Sequence, residues 1–160
     1  MGGELDTGDL FNRTIQHRVI ISTLNSLIVT AIDEYELMKS RSLEFLDTAN
    51  YQFGKEFYTV AAFSFHQALE LFVKSKLLQR GVAYPHTHSL KTLLEIMTEV
   101  SDDKCSELTR TVLDKYILEI ALLEDAYITS RYVSRTFSKS EVLKLQKVTE
   151  EVLSTLGINC

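Results

Sequence analysis

Tryptophan is absent, proline occurs once, at Pro85, and cysteine occurs only twice, at Cys105 and Cys160. With a single proline there is almost nothing to interrupt long helices. The two cysteines lie far apart with no Cys-x-x-Cys spacing, so they indicate neither a disulfide framework nor a zinc site. They point to a reducing, cytoplasmic compartment. Positive charge is also short: 17 Lys and Arg stand against 22 Asp and Glu, a formal charge of -5. That balance argues against a surface that grips long nucleic acid through many phosphate contacts, which draws on positive charge to release counterions, and leaves room only for a local basic patch. Long apolar runs are missing as well. The most apolar stretch near the N-terminus, Val19 to Ile32, is broken by Ser22, Thr23, Asn25, Ser26 and Thr30 and preceded by Glu4, Asp6 and Asp9. It fits neither a membrane span nor a secretory signal.

What is present is a chain of 160 residues, 45% hydrophobic and 24% charged, enough for one domain with its own core. Apolar positions recur with helical spacing and never in sustained alternation, which predicts an all-α fold without strands. A first helical block runs from about Leu10 to Lys39, with Phe11, Ile15, Val19, Leu24, Leu27, Ile28, Ala31, Tyr35 and Met38 as its apolar stripe. The block is expected to be a packed helix and not a loose arm, since it would otherwise expose that long apolar stripe. The polar stretch Lys39 to Ser42 predicts a kink or break, after which a second helix reaches Gly54, whose tolerance of positive φ suits a helix end.

The strongest helical signal spans Phe57 to Arg80 and is apolar over much of its circumference, so it belongs at the centre of a bundle. Gly81 stops it, and residues 82–87 form the one obvious loop. Thr87 is placed to cap the next helix and Ser101 the one after, which runs to about Tyr132. Ser138-Lys-Ser-Glu141 matches a capping box for a last helix ending at Gly157. Five or six helices with short joins make an antiparallel bundle.

Tyr58, the pair Ala61-Ala62, His66-Gln67-Ala68, Glu70, Lys74 and Leu77-Leu78, taken in order, resemble the signature helix of the HEPN family (higher eukaryote and prokaryote nucleotide-binding). Gly81 and Thr87-His88-Ser89-Leu90-x-x-Leu93 resemble that family's glycine break and Thr-His-Asp-Leu element, with Ser89 in place of the usual Asp. Tyr127-x-x-Ser-Arg131-Tyr132 resembles its late Tyr and Arg-Tyr-Pro element, with Val133 in place of the proline. The resemblance covers about Ser40 to Leu156. It divides the chain into an N-terminal helical extension, residues 1–39, and a HEPN domain, residues 40–156.

His66, Glu70 and Lys74 share one helical face. Either they form a solvated polar stripe, with Glu70 and Lys74 as an i, i+4 pair, or they line a cleft that holds phosphate or base. The resemblance adds Gln67, His88, Arg131 and Tyr132 to the candidate ligand-binding set. HEPN ribonucleases carry Arg, four to six residues, then His, so that an acid or base stands beside a cation on the developing charge. Here Arg131 is followed at those spacings by Thr136, Phe137 and Ser138, and no histidine occurs after His88. Arg80-x5-His86 meets the spacing only in the loop after the signature helix, so it is a displaced set at best. For His86-x-His88 no further ligand stands at a metal-binding spacing, and a structural role for His88 at the helix start is the simpler reading. Arg131, Arg135, Lys139, Lys144 and Lys147 make the C-terminal third locally basic, either as a solvated face or as an anion or partner site.

No catalytic set, cofactor or metal is expected. What the resemblance implies is a binding and interaction module: a homodimer that binds a nucleotide or RNA element, or pairs with a nucleotidyltransferase-type partner in a toxin-antitoxin-like arrangement. The alternatives are a metal-independent ribonuclease using Arg80 and His86, and a purely structural helical oligomer.

Overall fold

The computed structural model describes residues 7–132 and 134–160, with the side chains of residues 7–15 and of His17 outside that description. Val133, which stands where the family has proline, lies outside it too. Five helices follow one another: α1 (Thr7–Gly54), α2 (Tyr58–Gln79), α3 (Leu90–Val100), α4 (Asp103–Tyr132) and α5 (Lys139–Asn159). Among the described residues there is no strand, and no helix is long and apolar enough to cross a membrane. Contacts divide the chain into a unit ending at Asp33 and a unit from Glu34 to Cys160.

In the larger unit α2 is the central element, packed against α3, α4 and α5. Ala61, Ala62, Phe65, Leu69, Val73 and Leu77 are fully buried and meet Leu93, Leu94 and Met97 of α3, Ile120 and Leu123 of α4, and Leu145, Val152 and Leu156 of α5 in one core. Burying each of the Val, Leu, Ile, Phe and Met side chains here stabilises by about 1.5–3 kcal/mol before chain entropy is charged against it. The C-terminal part of α1 closes the bundle through polar contacts: Ser42 Oγ donates to the Ala68 carbonyl (2.7 Å), Ser64 Oγ to Gln52 (2.7 Å), and Gln146 Nε2 to Asn50 (2.7 Å).

Several local expectations are corrected. α1 runs through Lys39 to Ser42 without a break, because Ser42 is buried and bonded to α2 instead of solvated. The left-handed residue after α1 is Glu56 (φ 63°), not Gly54. Gly81 (φ 69°) does end α2, with its N–H on the Leu78 carbonyl (2.8 Å) and that of Val82 on Leu77 (3.0 Å), a Schellman closure. Ser89, not Thr87, caps α3 through Thr92 N–H (3.2 Å). Asp102, not Ser101, accepts from Cys105 N–H (2.9 Å) at the start of α4, which is kinked at Tyr116. The capping box at Ser138 and Glu141 is present, though α5 continues past Gly157 to Asn159.

Two larger corrections concern the cysteines and the apolar helices. Cys105 and Cys160 form a disulfide, with Cα atoms 5.3 Å apart. Sequence distance concealed this because the end of α5 returns to the first turn of α4. The N-terminal apolar stripe, expected to be packed, is open in the single chain: Val19, Leu24, Leu27 and Ile28 are more than half exposed. α2, by contrast, is covered almost all round by its own bundle, so it has little apolar surface left for a second copy.

Candidate functional site

The polar face of α2 is buried, which corrects the solvated-stripe reading. His66 is 0%, Glu70 3% and Lys74 7% exposed. A carboxylate cannot be buried without compensation, and three neighbours, Lys74, Gln67 and His88, supply it here. Lys74 Nζ lies 2.6 Å from Oε1, Gln67 Nε2 3.3 Å from Oε2, and His88 Nδ1 3.1 Å from both oxygens, while His66 Nδ1 stands 3.6 Å away.

The protonation pattern follows from these partners. His66 Nε2 is 3.0 Å from the His88 carbonyl, which only accepts, so Nε2 carries the proton. Nδ1 then accepts from the Gln67 amide (3.2 Å). Burial holds the His66 pKa down to about 4, against the opposing pull of Glu70, so the ring is neutral at pH 7 and its approach to Glu70 is no ion pair. His88 Nδ1 donates to Glu70, which leaves Nε2 of this half-exposed ring as its outer nitrogen.

Beside this network α4 supplies an aromatic and cationic surface. The Tyr127 ring stacks on His88 (4.2 Å between centroids) and lies 4.9 Å from His66 and 6.0 Å from Phe63. The Arg131 guanidinium stands 3.9 Å from the Tyr127 ring centre, anchored by Nε on the Tyr127 carbonyl (3.0 Å). Its terminal nitrogens have no carboxylate partner among the described residues. Glu124 accepts from Ser89 Oγ and Lys91 N–H, both at 2.9 Å, and joins His88, Ser89, Tyr127 and Ile128 in lining a shallow cleft of about 210 Å³.

His66, Gln67, Glu70, Lys74, His88 and Arg131 are thus brought to one place. Tyr132 is the outlier of the set, 76% exposed, with Arg131 5.2 Å from its ring. The His88 carbonyl serves the fold by accepting from His66, and its ring lines the cleft. Sequence reasoning left out Glu124, Tyr127 and Ile128 as cleft residues. Their signal was the i, i+3, i+4, i+7 spacing that puts Glu124, Tyr127, Ile128 and Arg131 on one face of α4.

Arg80 and His86 are not joined by any bond among the described residues. Arg80 donates to the carbonyls of Lys76 (2.9 Å) and Cys160 (3.0 Å), and His86 stands in the exposed loop. Of the C-terminal cations, Arg135 is taken up by Asp125 and by Glu141 (3.1 Å), and Lys139, Lys144 and Lys147 remain exposed.

No curated protein matches the chain. The crystal structure of TT1696 from Thermus thermophilus superposes with a TM-score of 0.60 at 20% identity, covering 79% of this chain and 98% of that one, a likeness of fold. The family model of the HEPN domain matches residues 35–159, which take in all of α2 to α5 and the cleft, and the chain therefore belongs to the HEPN domain family.

Proposed function

We propose that this protein is a binding module that takes a nucleotide or a short RNA element in the cleft lined by His88, Ser89, Glu124, Tyr127 and Ile128, with Arg131 beside it on the Tyr127 ring. The observation that carries this reading is the Glu70-held His88 stacked on Tyr127, with the Arg131 guanidinium over the same ring. Rings and planar cations of this kind receive bases by stacking, typically worth about 1–3 kcal/mol per base. Arg131 offers a planar fork to a phosphate. Glu124 has an oxygen left to accept from an exocyclic amine. A cleft of about 210 Å³ suits a single base better than a strand.

Pairing with a nucleotidyltransferase-type partner, in a toxin-antitoxin-like arrangement, is supported by resemblance to the family. The cytoplasmic setting belongs to the same reading; there the thiols of Cys105 and Cys160 would be held reduced, and their pairing would be a response to oxidation. The homodimer is part of it too, resting on the exposed faces of α1 and not on α2.

A second reading, the metal-independent ribonuclease, is favoured by one feature. His88 is oriented by a carboxylate as a general base would be, and it stands near a cation. It lacks a second acid or base at the Arg131 spacing. Titration of the protein with mononucleotides and short single-stranded RNA tests both readings. Binding without cleavage is expected, weakened about tenfold or more by Arg131→Ala or Tyr127→Ala. Cleavage abolished by His88→Ala would establish the enzyme instead, and binding unchanged in Arg131→Ala would remove the cleft from consideration.

A further inference from the structure

A second pocket, away from the His88 cleft, opens between the C-terminal part of α1, the C-terminal half of α2 and the end of α5. It has a volume of about 230 Å³ and is lined by Tyr35, Lys39, Phe72, Ser75, Lys76, Gln79 and Gly157. It contains two lysines and no acidic residue.

Lys76 is only 8% exposed, yet among the described residues no carboxylate or other acceptor meets its ammonium. Two positions earlier on the same helix, Lys74 shows the ordinary solution, a buried lysine paired at 2.6 Å with Glu70. The Lys76 stem is buried, but its ammonium reaches the pocket, where water is its partner and an anion can take that place. The surroundings of Lys76 are positive. Burial pushes its pKa down, and Arg80 and Lys39 push it further, with no opposing carboxylate. Its stem lies along Phe72, with Nζ 5.7 Å from the ring centre, while Lys39 Nζ stands 5.5 Å from the Tyr35 ring.

We propose that this pocket is an anion site that receives a phosphate group between the ammonium groups of Lys39 and Lys76. Two cations facing one small pocket call for a dianion, and a phosphate monoester carries about -1.5 to -2 at pH 7, whereas a carboxylate carries one charge. The Tyr35 hydroxyl and the Gln79 amide add neutral donors at the rim. Ser75 does not, because its hydroxyl proton is committed to the Phe72 carbonyl (2.7 Å). The rings of Tyr35 and Phe72 leave apolar wall for the organic part of a phosphorylated small molecule.

The test is thermal denaturation of the full chain carrying Arg131→Ala, which removes the phosphate-binding group of the first cleft. Inorganic phosphate, ribose 5-phosphate and acetate are compared at equal ionic strength. Both phosphates are expected to raise Tm above acetate; a larger effect from the sugar phosphate assigns the site to an organic phosphate, and equal effects assign it to the free ion. Adding Lys76→Met should weaken apparent binding about tenfold or more, the usual consequence of losing a charge-assisted hydrogen bond. A variant-free arm guards against misfolding: limited acylation read by mass spectrometry should show phosphate protecting Lys76 while exposed Lys144 reacts as before. No difference between phosphate and acetate, a shift that survives Lys76→Met in a folded protein, or unprotected Lys76 would each overturn the proposal.

Discussion

At the scale of the residue, the buried polar stripe of α2 makes two demands that experiment can check. Glu70 is compensated chiefly by Lys74 at 2.6 Å, both nearly inaccessible to water. Removing one partner of a buried pair leaves the other charge stranded, so Lys74→Met is expected to cost about 3 kcal/mol in urea denaturation at pH 7. A cost within experimental error of zero would mean that Gln67 and His88 suffice. His66 makes the second demand. Its imidazole titrates near 4 in the fold and near 6.5 when unfolded, so between those values the unfolded chain holds the extra proton. Its contribution is therefore fully present above about pH 6.5 and is lost as pH falls towards 4, by about 3 kcal/mol at most. His66→Gln should flatten this part of the stability profile relative to wild type, and an unchanged slope would assign the dependence to other groups. The spacing of His66, Glu70 and Lys74 was legible in the sequence. Their burial was not, because it depends on His88, Tyr127 and Tyr84 standing over that side of α2, a tertiary fact with no local sign.

At the scale of the element, legibility follows how local the determining force is. The α2 pattern, its stop at Gly81 and the α5 capping box were readable because each is decided within a few residues. The caps of α3 and α4 were misplaced by one or two positions, since several Ser, Thr and Asp side chains compete at each start. The supposed break at Lys39 to Ser42 was wrong because Ser42 finds its acceptor 26 residues away, on Ala68. The disulfide is the extreme case. Cys105 and Cys160 are separated by 55 residues, and only the return of α5 along α4 joins them. A loop of that length, closed covalently, restricts the unfolded chain, so reduction or Cys160→Ser is expected to lower stability by about 2–4 kcal/mol. Equal urea midpoints with and without reductant would show that packing of α5 alone holds this end of the fold.

At the scale of the whole molecule, the question is what covers α1. Val19, Ile20, Ile21, Leu24, Leu27, Ile28, Val29 and Ile32 are all about half exposed or more, and they point in several directions around the helix axis. An amphipathic surface helix has one apolar stripe and one polar face; a helix apolar on several sides is stable in water only when something buries it. A second copy of the same helix is the simplest cover, because closed two-fold pairing uses one surface twice and leaves none open. The protein is accordingly expected to be a dimer near twice 18.3 kDa by light scattering. Leu24→Lys combined with Ile28→Lys places charges on the side that would pair and should shift the population to monomer, while leaving far-ultraviolet circular dichroism and the urea midpoint of the Glu34–Cys160 unit nearly unchanged. That separation matters because α2 is already buried by α3, α4 and α5 and offers a second copy little apolar surface. A monomer in the unmodified protein would mean that the apolar faces of α1 await a different chain. A dimer that survives both lysines would place the interface on the bundle, where the exposed apolar residues of α4, Ile117, Leu118 and Ile128, would be the next to mutate.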